Sequence, residues 1–123
     1  MRAMVVDDSR AMRSLLRKIL IENGFEVVAE AENGQEALER LETVGPLDLT
    51  LLDWNMPIMN GYDALCTLRK DPRFRSMRVM LVTTETEATQ ILRALDAGAD
   101  EYLIKPFAKE ALRDKLSVMG LLE

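Results

Sequence analysis

Hydrophobic and polar positions follow two alternating patterns along this chain. Short, almost entirely apolar runs are typical of buried strands, and longer segments with apolar residues three and four positions apart are typical of amphipathic helices. The strand-like runs cover residues 3–7, 26–31, 49–53, 79–84 and, more weakly, 101–105. The helix-like segments cover residues 10–23, 34–42, 61–70, 86–99 and 107–119. The pattern therefore predicts strands and helices in strict alternation.

The residues before three of the helical segments are good N-caps. Ser9, Asn33 and Asn60 each have a side-chain oxygen that accepts a hydrogen bond from the first turn of a helix. Asp8 is an alternative cap for the first helix. These signals support helix starts near residues 10, 34 and 61.

The alternation predicts an α/β fold. Parallel neighbouring strands require crossover helices, and these helices cover both faces of the sheet. Several of the strands are apolar on both faces, as such a sheet requires. We take the strand order 2-1-3-4-5 from flavodoxin-like, doubly wound folds, in which ligands bind beyond the carboxyl ends of the strands. The fold expected is a five-stranded parallel sheet with five helices.

Length and composition fit one domain over residues 1–123. The chain is 48% hydrophobic and 30% charged, which is typical of a compact domain with its own core. It lacks the roughly 18 consecutive apolar residues of a membrane span and a signal-peptide core at the N-terminus. The net charge of −5 argues against direct nucleic-acid binding. We expect a cytoplasmic protein without membrane insertion.

Missing residues and motifs exclude several classes of site. The chain has no histidine, which excludes Ser-His-Asp and Cys-His nucleophile schemes and HExxH metal sites. The segment after the first strand, DDSRAM, has neither the glycine-rich turn of a dinucleotide oxidoreductase nor a P-loop. A haloacid-dehalogenase-like phosphatase would need a second aspartate two positions after Asp53, where this chain has Asn55.

Acidic residues follow two of the predicted strands. Asp7 and Asp8 close the first strand and Asp53 closes the third, and these strands are neighbours in the expected order. Each aspartate alone is a common cap or turn residue. Three carboxylates at one edge repel each other unless a cation binds, and oxygen ligands suit Mg²⁺, with Mn²⁺ as an alternative.

Two more polar groups are expected at the same edge. The fourth strand ends in Thr83 and Thr84, and the fifth runs into Lys105 and Pro106. Lys105 alone is either a surface counter-ion or a group that binds an anion. Combined with a carboxylate nucleophile and a metal ion, a hydroxyl and a lysine are typical of a phosphoryl-transfer site.

Four short motifs carry a resemblance to a known family. They are VVDDS (5–9), LLDWNMPIMNG (51–61), VTTE (82–85) and YLIKPF (102–107). In this order and spacing the sequence resembles response-regulator receiver domains over nearly its whole length. Among these it is most similar to the chemotaxis regulators that consist of a receiver alone. The alternative is a receiver cut from a larger transcriptional regulator or hybrid kinase.

The resemblance implies roles for particular residues. Asp53 resembles the phospho-acceptor, and Asp8 and Asp53 resemble direct Mg²⁺ ligands, with Asp7 acting through water and Asn55 through its backbone carbonyl. Thr83 and Lys105 resemble the hydroxyl and ammonium groups that contact the phosphoryl group. The resemblance further implies a cis Lys105–Pro106 bond, a switch role for Tyr102 with Thr83, and tuning of the phosphoryl lifetime by Asn55 and Glu85. Without it, Tyr102 would be interpreted as a half-exposed strand aromatic.

The resemblance also implies partners. The phosphoryl donor would be a histidine kinase, and the target would be a protein such as a flagellar motor switch component, bound by the fourth helix, fifth strand and fifth helix. A phosphatase is a third expected partner. A receiver acts only on its own aspartyl phosphate, so we do not expect an enzyme that turns over an external substrate.

Overall fold

The computed structural model describes residues 1–84 and 90–122. The elements in these ranges are β1 (Arg2–Val6), α1 (Arg10–Glu22), β2 (Glu26–Ala31), α2 (Gly34–Val44), β3 (Leu49–Asp53), α3 (Gly61–Lys70), a 3-10 helix (Pro72–Phe74), β4 (Arg78–Thr84), α4 (Ile91–Asp96), β5 (Glu101–Lys105) and α5 (Lys109–Val118). The predicted alternation of strands and helices is confirmed.

All strand pairs in the described residues are parallel. The sheet order is β2-β1-β3-β4-β5, which confirms the predicted flavodoxin-like fold. Val6 pairs with Leu52, and Asp53 pairs with Val82. This register brings the carboxyl ends of β1, β3 and β4 to one edge of the sheet.

The core consists of two layers, one on each face of the sheet. Leu51 of β3 packs in the layer that contains Leu16 and Leu20 of α1 and Leu112 and Leu116 of α5. Its neighbour Leu52 points to the opposite face, where the layer contains Leu41 of α2 and Leu65 and Leu68 of α3. Because successive side chains of a strand alternate between faces, a strand covered on both sides is mostly apolar. Every residue of β3 is buried.

The predicted N-caps are confirmed by side-chain hydrogen bonds. Ser9 Oγ accepts from the Met12 amide at 3.2 Å, so Ser9 rather than Asp8 caps α1. Asn33 and Asn60 cap α2 and α3 in the same way, each at 2.8 Å. Capping fixes where each helix begins; α1 begins two residues after Asp8, and α3 begins eight residues after Asp53.

Several details differ from the sequence prediction. Strand β1 ends at Val6, before Asp7, and α5 begins at Lys109, two residues after the predicted start. The predicted start of the fourth helix, at residues 86–89, lies outside the described residues.

Helix α4 ends at Asp96 instead of continuing to residue 99, and the turn that follows contains Gly98 at φ +111°, a conformation that favours glycine. The 3-10 helix at Pro72–Phe74 was not predicted; it is capped by Asp71, which accepts from the Arg73 amide. Within the described ranges, no helix is long and apolar enough to cross a membrane.

Candidate functional site

Three aspartates converge at the carboxyl edge of the sheet. Asp7 and Asp8 follow β1, and Asp53 is the last residue of β3. Each offers a carboxylate oxygen, and these oxygens lie within 4.8 Å of one another. Asp7 and Asp53 are buried and Asp8 is exposed. The site is therefore an acidic cluster with two buried carboxylates and one exposed carboxylate.

Asp7 is held by contacts on its backbone and on both carboxylate oxygens. Its amide donates to the carbonyl of Ala31 at the end of β2, at 3.0 Å. Its Oδ1 accepts from the Ser9 amide at 2.8 Å, and its Oδ2 accepts from Lys105 Nζ at 3.0 Å. The orientation of this carboxylate is therefore fixed by neighbouring parts of the fold.

Lys105 joins the two buried carboxylates. Its ammonium lies 3.0 Å from Asp7 Oδ2 and 3.2 Å from Asp53 Oδ1. Burial alone would lower the pKa of Lys105, but the hydrogen bond to Asp7 and the attraction of both carboxylates outweigh it and raise the pKa. The side chain is 17% exposed, so Lys105 belongs to the site and is not a surface counter-ion.

Asp53 is the electrostatically perturbed carboxylate of the site. Burial and the negative charge of Asp7 raise its pKa to about 6, although Lys105 partly opposes this shift. The carboxylate is thus mostly ionised at neutral pH, but its charge is only partly compensated. A bound cation or a covalent change at Asp53 would alter this balance strongly.

The arrangement fits a divalent metal ion. Three carboxylates offer converging oxygens, an all-oxygen donor set that suits Mg²⁺ and Mn²⁺. The exposed position of Asp8 leaves one side of the cluster open to water, which Mg²⁺ retains in most protein sites. One ammonium faces two buried carboxylates, so negative charge remains for a cation to neutralise.

Comparison with known families and proteins identifies the chain. The model of the response regulator receiver domain matches residues 3–117. The chain belongs to the response-regulator receiver family. Receiver proteins similar to it include a chemotaxis protein CheY1 from Helicobacter pylori, 40% identical, with 97% of this chain and 96% of that protein covered. The chemotaxis protein CheY from Pseudomonas aeruginosa is 39% identical, with 94% and 93% covered.

A solved receiver structure supports the same assignment. The chemotaxis protein CheY4 from Vibrio cholerae is 29% identical and superposes with a TM-score of 0.83, covering 95% of this chain and 96% of that one. The resemblance inferred from four motifs is therefore confirmed at the level of the family. The implied cis Lys105–Pro106 bond is present.

The receiver resemblance also singled out Thr83, Asn55, Tyr102 and Glu85, and the structure describes the first three. Thr83 is buried near the end of β4, one pair beyond the pairing of Val82 with Asp53. Asn55 is exposed in the segment after β3. Tyr102 is half-buried on β5, with Lys115 Nζ 4.2 Å from its ring centre. Glu85 lies outside the described residues.

Sequence reasoning missed three residues that shape the receiver site. Gly61 lies against the backbone of Asp53, and its amide donates to the carbonyl of Trp54 at 2.8 Å. The ring of Tyr62 stacks on Trp54, with ring centres 5.4 Å apart. Arg13 donates to the backbone carbonyl of Asp7. Only Gly61 gave a signal, as part of an Asn-Gly pair at a helix start, and that signal concerned the helix alone.

Proposed function

We propose that this chain is a phosphorylation-dependent response regulator in which Asp53 accepts a phosphoryl group from a histidine kinase, in a Mg²⁺-dependent reaction. One observation carries the proposal: Lys105 bridges Asp7 and Asp53 beside the exposed carboxylate of Asp8. The proposed nucleophile, its ammonium partner and the proposed metal-ligand oxygens therefore lie close together, which supports the proposal. The family assignment supports the same chemistry.

Asp53 is the nucleophile in the proposed reaction. One of its carboxylate oxygens attacks the phosphorus of a phosphohistidine; the new P–O bond forms as the P–N bond breaks, and the electron pair leaves on the imidazole nitrogen, which then takes up a proton. The raised pKa of Asp53, about 6, leaves most of the carboxylate ionised at neutral pH. Mg²⁺ held by Asp8 and Asp53, with help from Asp7 and the Asn55 carbonyl, would neutralise charge on the transferred oxygens.

Lys105 and Thr83 would respond to the new group. The ammonium of Lys105, which contacts the acceptor carboxylate, would pair with a phosphoryl oxygen. The Thr83 hydroxyl, buried near the same edge, would donate to another. We propose that this change biases Tyr102 and thereby the surface formed by α4, β5 and α5, where a target protein binds.

The lifetime of the phosphoryl group is a separate part of the proposal. Asn55 and Glu85 are proposed to flank the path of the attacking water, which gives a lifetime of seconds to minutes. The measurement is decay of the phosphorylated protein after removal of the donor. Persistence over many hours would contradict the assignment of these two residues.

The biological setting proposed is chemotaxis control. The curated relatives described above are named chemotaxis proteins and match along nearly their whole length. We therefore propose one receiver domain over residues 1–123, acting in the cytoplasm through a histidine kinase, a target such as a flagellar motor switch component, and a phosphatase. Its chemistry would be self-directed, without turnover of an external substrate.

The test uses Trp54, the single tryptophan of the chain, which follows Asp53. Its fluorescence is recorded during addition of MgCl₂ and then of beryllofluoride or acetyl phosphate. We expect a saturable Mg²⁺ response that is weaker in Asp8→Ala, because that variant lacks one oxygen ligand. We expect a second response that is lost in Asp53→Asn.

Intact-mass spectrometry separates the two parts of the proposal. A phosphoryl adduct in the parent protein that is absent from Asp53→Asn supports transfer to Asp53. A Mg²⁺ response without any adduct would contradict phosphorylation but leave metal binding standing. If neither response occurs and no adduct forms, the chain has the receiver fold without receiver chemistry.

A further inference from the structure

Arg13 differs from the other basic residues of α1 by reaching the acidic site. Its Nη1 donates to the backbone carbonyl of Asp7 at 2.7 Å, a short, charge-assisted hydrogen bond. The Arg13 side chain is only 11% exposed, whereas that of Arg17, one turn further along, is 51% exposed. Arg10 is exposed as well. The largely buried side chain of Arg13 therefore contacts the loop that carries the proposed metal ligands Asp7 and Asp8.

The same guanidinium is held from its other side by the end of β2. Its Nε lies 3.5 Å from Glu30 and its Nη2 lies 3.6 Å from Glu32. Ala31, between these two glutamates, accepts the amide hydrogen of Asp7. The peptide groups on both sides of Asp7 are thus fixed to β2, one directly and the other through Arg13.

The hydrogen bond from Arg13 to the Asp7 carbonyl also affects the position of Asp8. The carbonyl that accepts from Arg13 belongs to the peptide that joins Asp7 to Asp8, so fixing the plane of this peptide fixes the position of the Asp8 Cα atom. Asp8 is exposed, so core packing does not place its carboxylate. Its position relative to Asp53 depends on the backbone before it.

We propose that Arg13 is a positioning residue that holds the Asp7–Asp8 peptide in the orientation that brings both carboxylates to the metal ion. The inference rests on the Mg²⁺ binding proposed above. Arg13 does not contact the metal; it acts through a backbone carbonyl of a ligand residue.

The test is the Mg²⁺ affinity of Arg13→Gln, measured by Trp54 fluorescence and by isothermal titration calorimetry with MgCl₂. We expect the dissociation constant to rise about 10-fold, because removing groups that orient metal ligands weakens binding by about 10–100-fold. With acetyl phosphate, the Mg²⁺ concentration for half-maximal phosphorylation should rise in parallel. The rate at saturating Mg²⁺ should be unchanged, because the fully loaded site keeps its nucleophile and Lys105.

Arg17→Gln is the matched control. Arg17 lies on the same helix and also faces Glu30, at 3.8 Å, but it does not hydrogen-bond to Asp7. Removing a positive charge near the site should by itself favour Mg²⁺ slightly, since like charges repel. If Arg13 positions the ligands, Arg13→Gln binds Mg²⁺ more weakly than the parent. If only charge matters, Arg13→Gln and Arg17→Gln both bind Mg²⁺ slightly more tightly.

Arg13→Lys keeps the positive charge but loses the planar guanidinium group that contacts the Asp7 carbonyl, Glu30 and Glu32. We expect it to bind Mg²⁺ more weakly than the parent and more tightly than Arg13→Gln, and it also serves if Arg13→Gln does not fold. Parent-like Mg²⁺ affinity in the folded Arg13 variants would overturn the inference and leave the proposed function intact. Absence of Mg²⁺ binding by the parent protein would overturn both.

Discussion

Lys105 and Asp53 form an ion pair of 3.2 Å across a strand that separates them. Lys105 ends β5 and Asp53 ends β3, and β4 lies between these strands in the sheet. Both side chains extend beyond the carboxyl edge, so the ammonium of Lys105 passes over the end of β4 to reach the Asp53 carboxylate. The pair connects two strands that share no backbone hydrogen bonds. The balance between the charge of Lys105 and the charges of Asp7 and Asp53 therefore affects the free energy of unfolding.

Asp53→Asn is expected to stabilise the protein at neutral pH. The pKa of Asp53 in the fold, about 6, lies above its ordinary value of 3.8, so the folded state binds more protons than the unfolded chain between these values. Stability therefore falls as pH rises from 3.8 to about 6. The difference corresponds to about 3 kcal/mol, and we expect Asp53→Asn to raise the unfolding free energy at pH 7 by about 1–3 kcal/mol.

Urea denaturation without Mg²⁺ at pH 7 and near pH 4 tests this expectation. The unfolding free energy gained by Asp53→Asn should be smaller near pH 4, because the Asp53 carboxyl of the folded parent is neutral there as well. Glu39→Gln, which removes an exposed carboxylate on α2, is the control and should change stability little. A gain that is the same at both pH values would show that the ionisation of Asp53 is not its cause.

Lys105→Met is expected to have the opposite effect. It leaves the buried carboxylates of Asp7 and Asp53 without their common counter-ion. Because removing one partner leaves uncompensated buried charge, the unfolding free energy at pH 7 should fall by about 2–4 kcal/mol.

A double-mutant cycle isolates the interaction between Lys105 and Asp53. In an Asp53→Asn background, the loss caused by Lys105→Met should be smaller, since only Asp7 remains charged. Urea denaturation of the four proteins gives the coupling energy. Equal losses in both backgrounds would mean that Lys105 stabilises the fold through Asp7 alone.

The sequence predicted the elements well because the periodicity of buried positions is local. It also predicted that Asp7 and Asp53 would meet, since parallel neighbouring strands end at the same edge. The strand order itself had to be taken from related folds. The role of Lys105 was less accessible. Its strand predicts a position at the same edge, but Lys105 and Asp7 are 98 positions apart, and the lysine alone was compatible with either a surface counter-ion or an anion-binding group.

The supporting residues could not be selected from the sequence. Arg13 lies among other basic residues on the polar face of α1, and helical periodicity does not show which of them is buried against the Asp7 backbone. Gly61 is necessary because of a neighbouring strand end, which is a tertiary contact. The 3-10 helix at Pro72–Phe74 is too short to show a periodic pattern.

Gly61→Ala is expected to destabilise the receiver and disturb its site. A Cβ at position 61 would collide with the carbonyl oxygen of Asp53 and lie 3.1 Å from the Cα of Trp54. These are backbone atoms, so the clash cannot be relieved by rotating a side chain. The unfolding free energy should fall by about 2 kcal/mol or more, and the Mg²⁺ affinity should fall with it.

Gly24→Ala provides the comparison for this effect. Gly24 has φ +88°, but nothing lies within 4 Å of its added Cβ, and it is at the far end of the sheet. Its substitution should cost about 1 kcal/mol through backbone strain and leave the Mg²⁺ affinity unchanged. Equal effects of the two substitutions on Mg²⁺ affinity would show that the contact of Gly61 with Asp53 is unimportant for the site.

A stack of three side chains connects Trp54, the residue after Asp53, with α4. The ring of Tyr62 lies on Trp54, with ring centres 5.4 Å apart, and the guanidinium carbon of Arg93 lies 4.4 Å from the centre of the Tyr62 ring. Tyr62 is on α3 and Arg93 is on α4. The environment of Trp54 should therefore respond to changes at either helix.

Tyr62→Leu is expected to change the Trp54 emission and to reduce the unfolding free energy by about 1 kcal/mol, because it removes the aromatic stacking. Arg93→Ala should cost about 0.5–1 kcal/mol, since it removes the cation above Tyr62. In the double variant, Arg93→Ala should reduce the unfolding free energy little further, because the Tyr62 ring that Arg93 contacts is already absent. Arg73→Ala removes a cation above Phe74 at 4.9 Å and should leave the Trp54 emission unchanged. If Tyr62→Leu gives the parent emission spectrum, the stack does not report on Trp54 in solution.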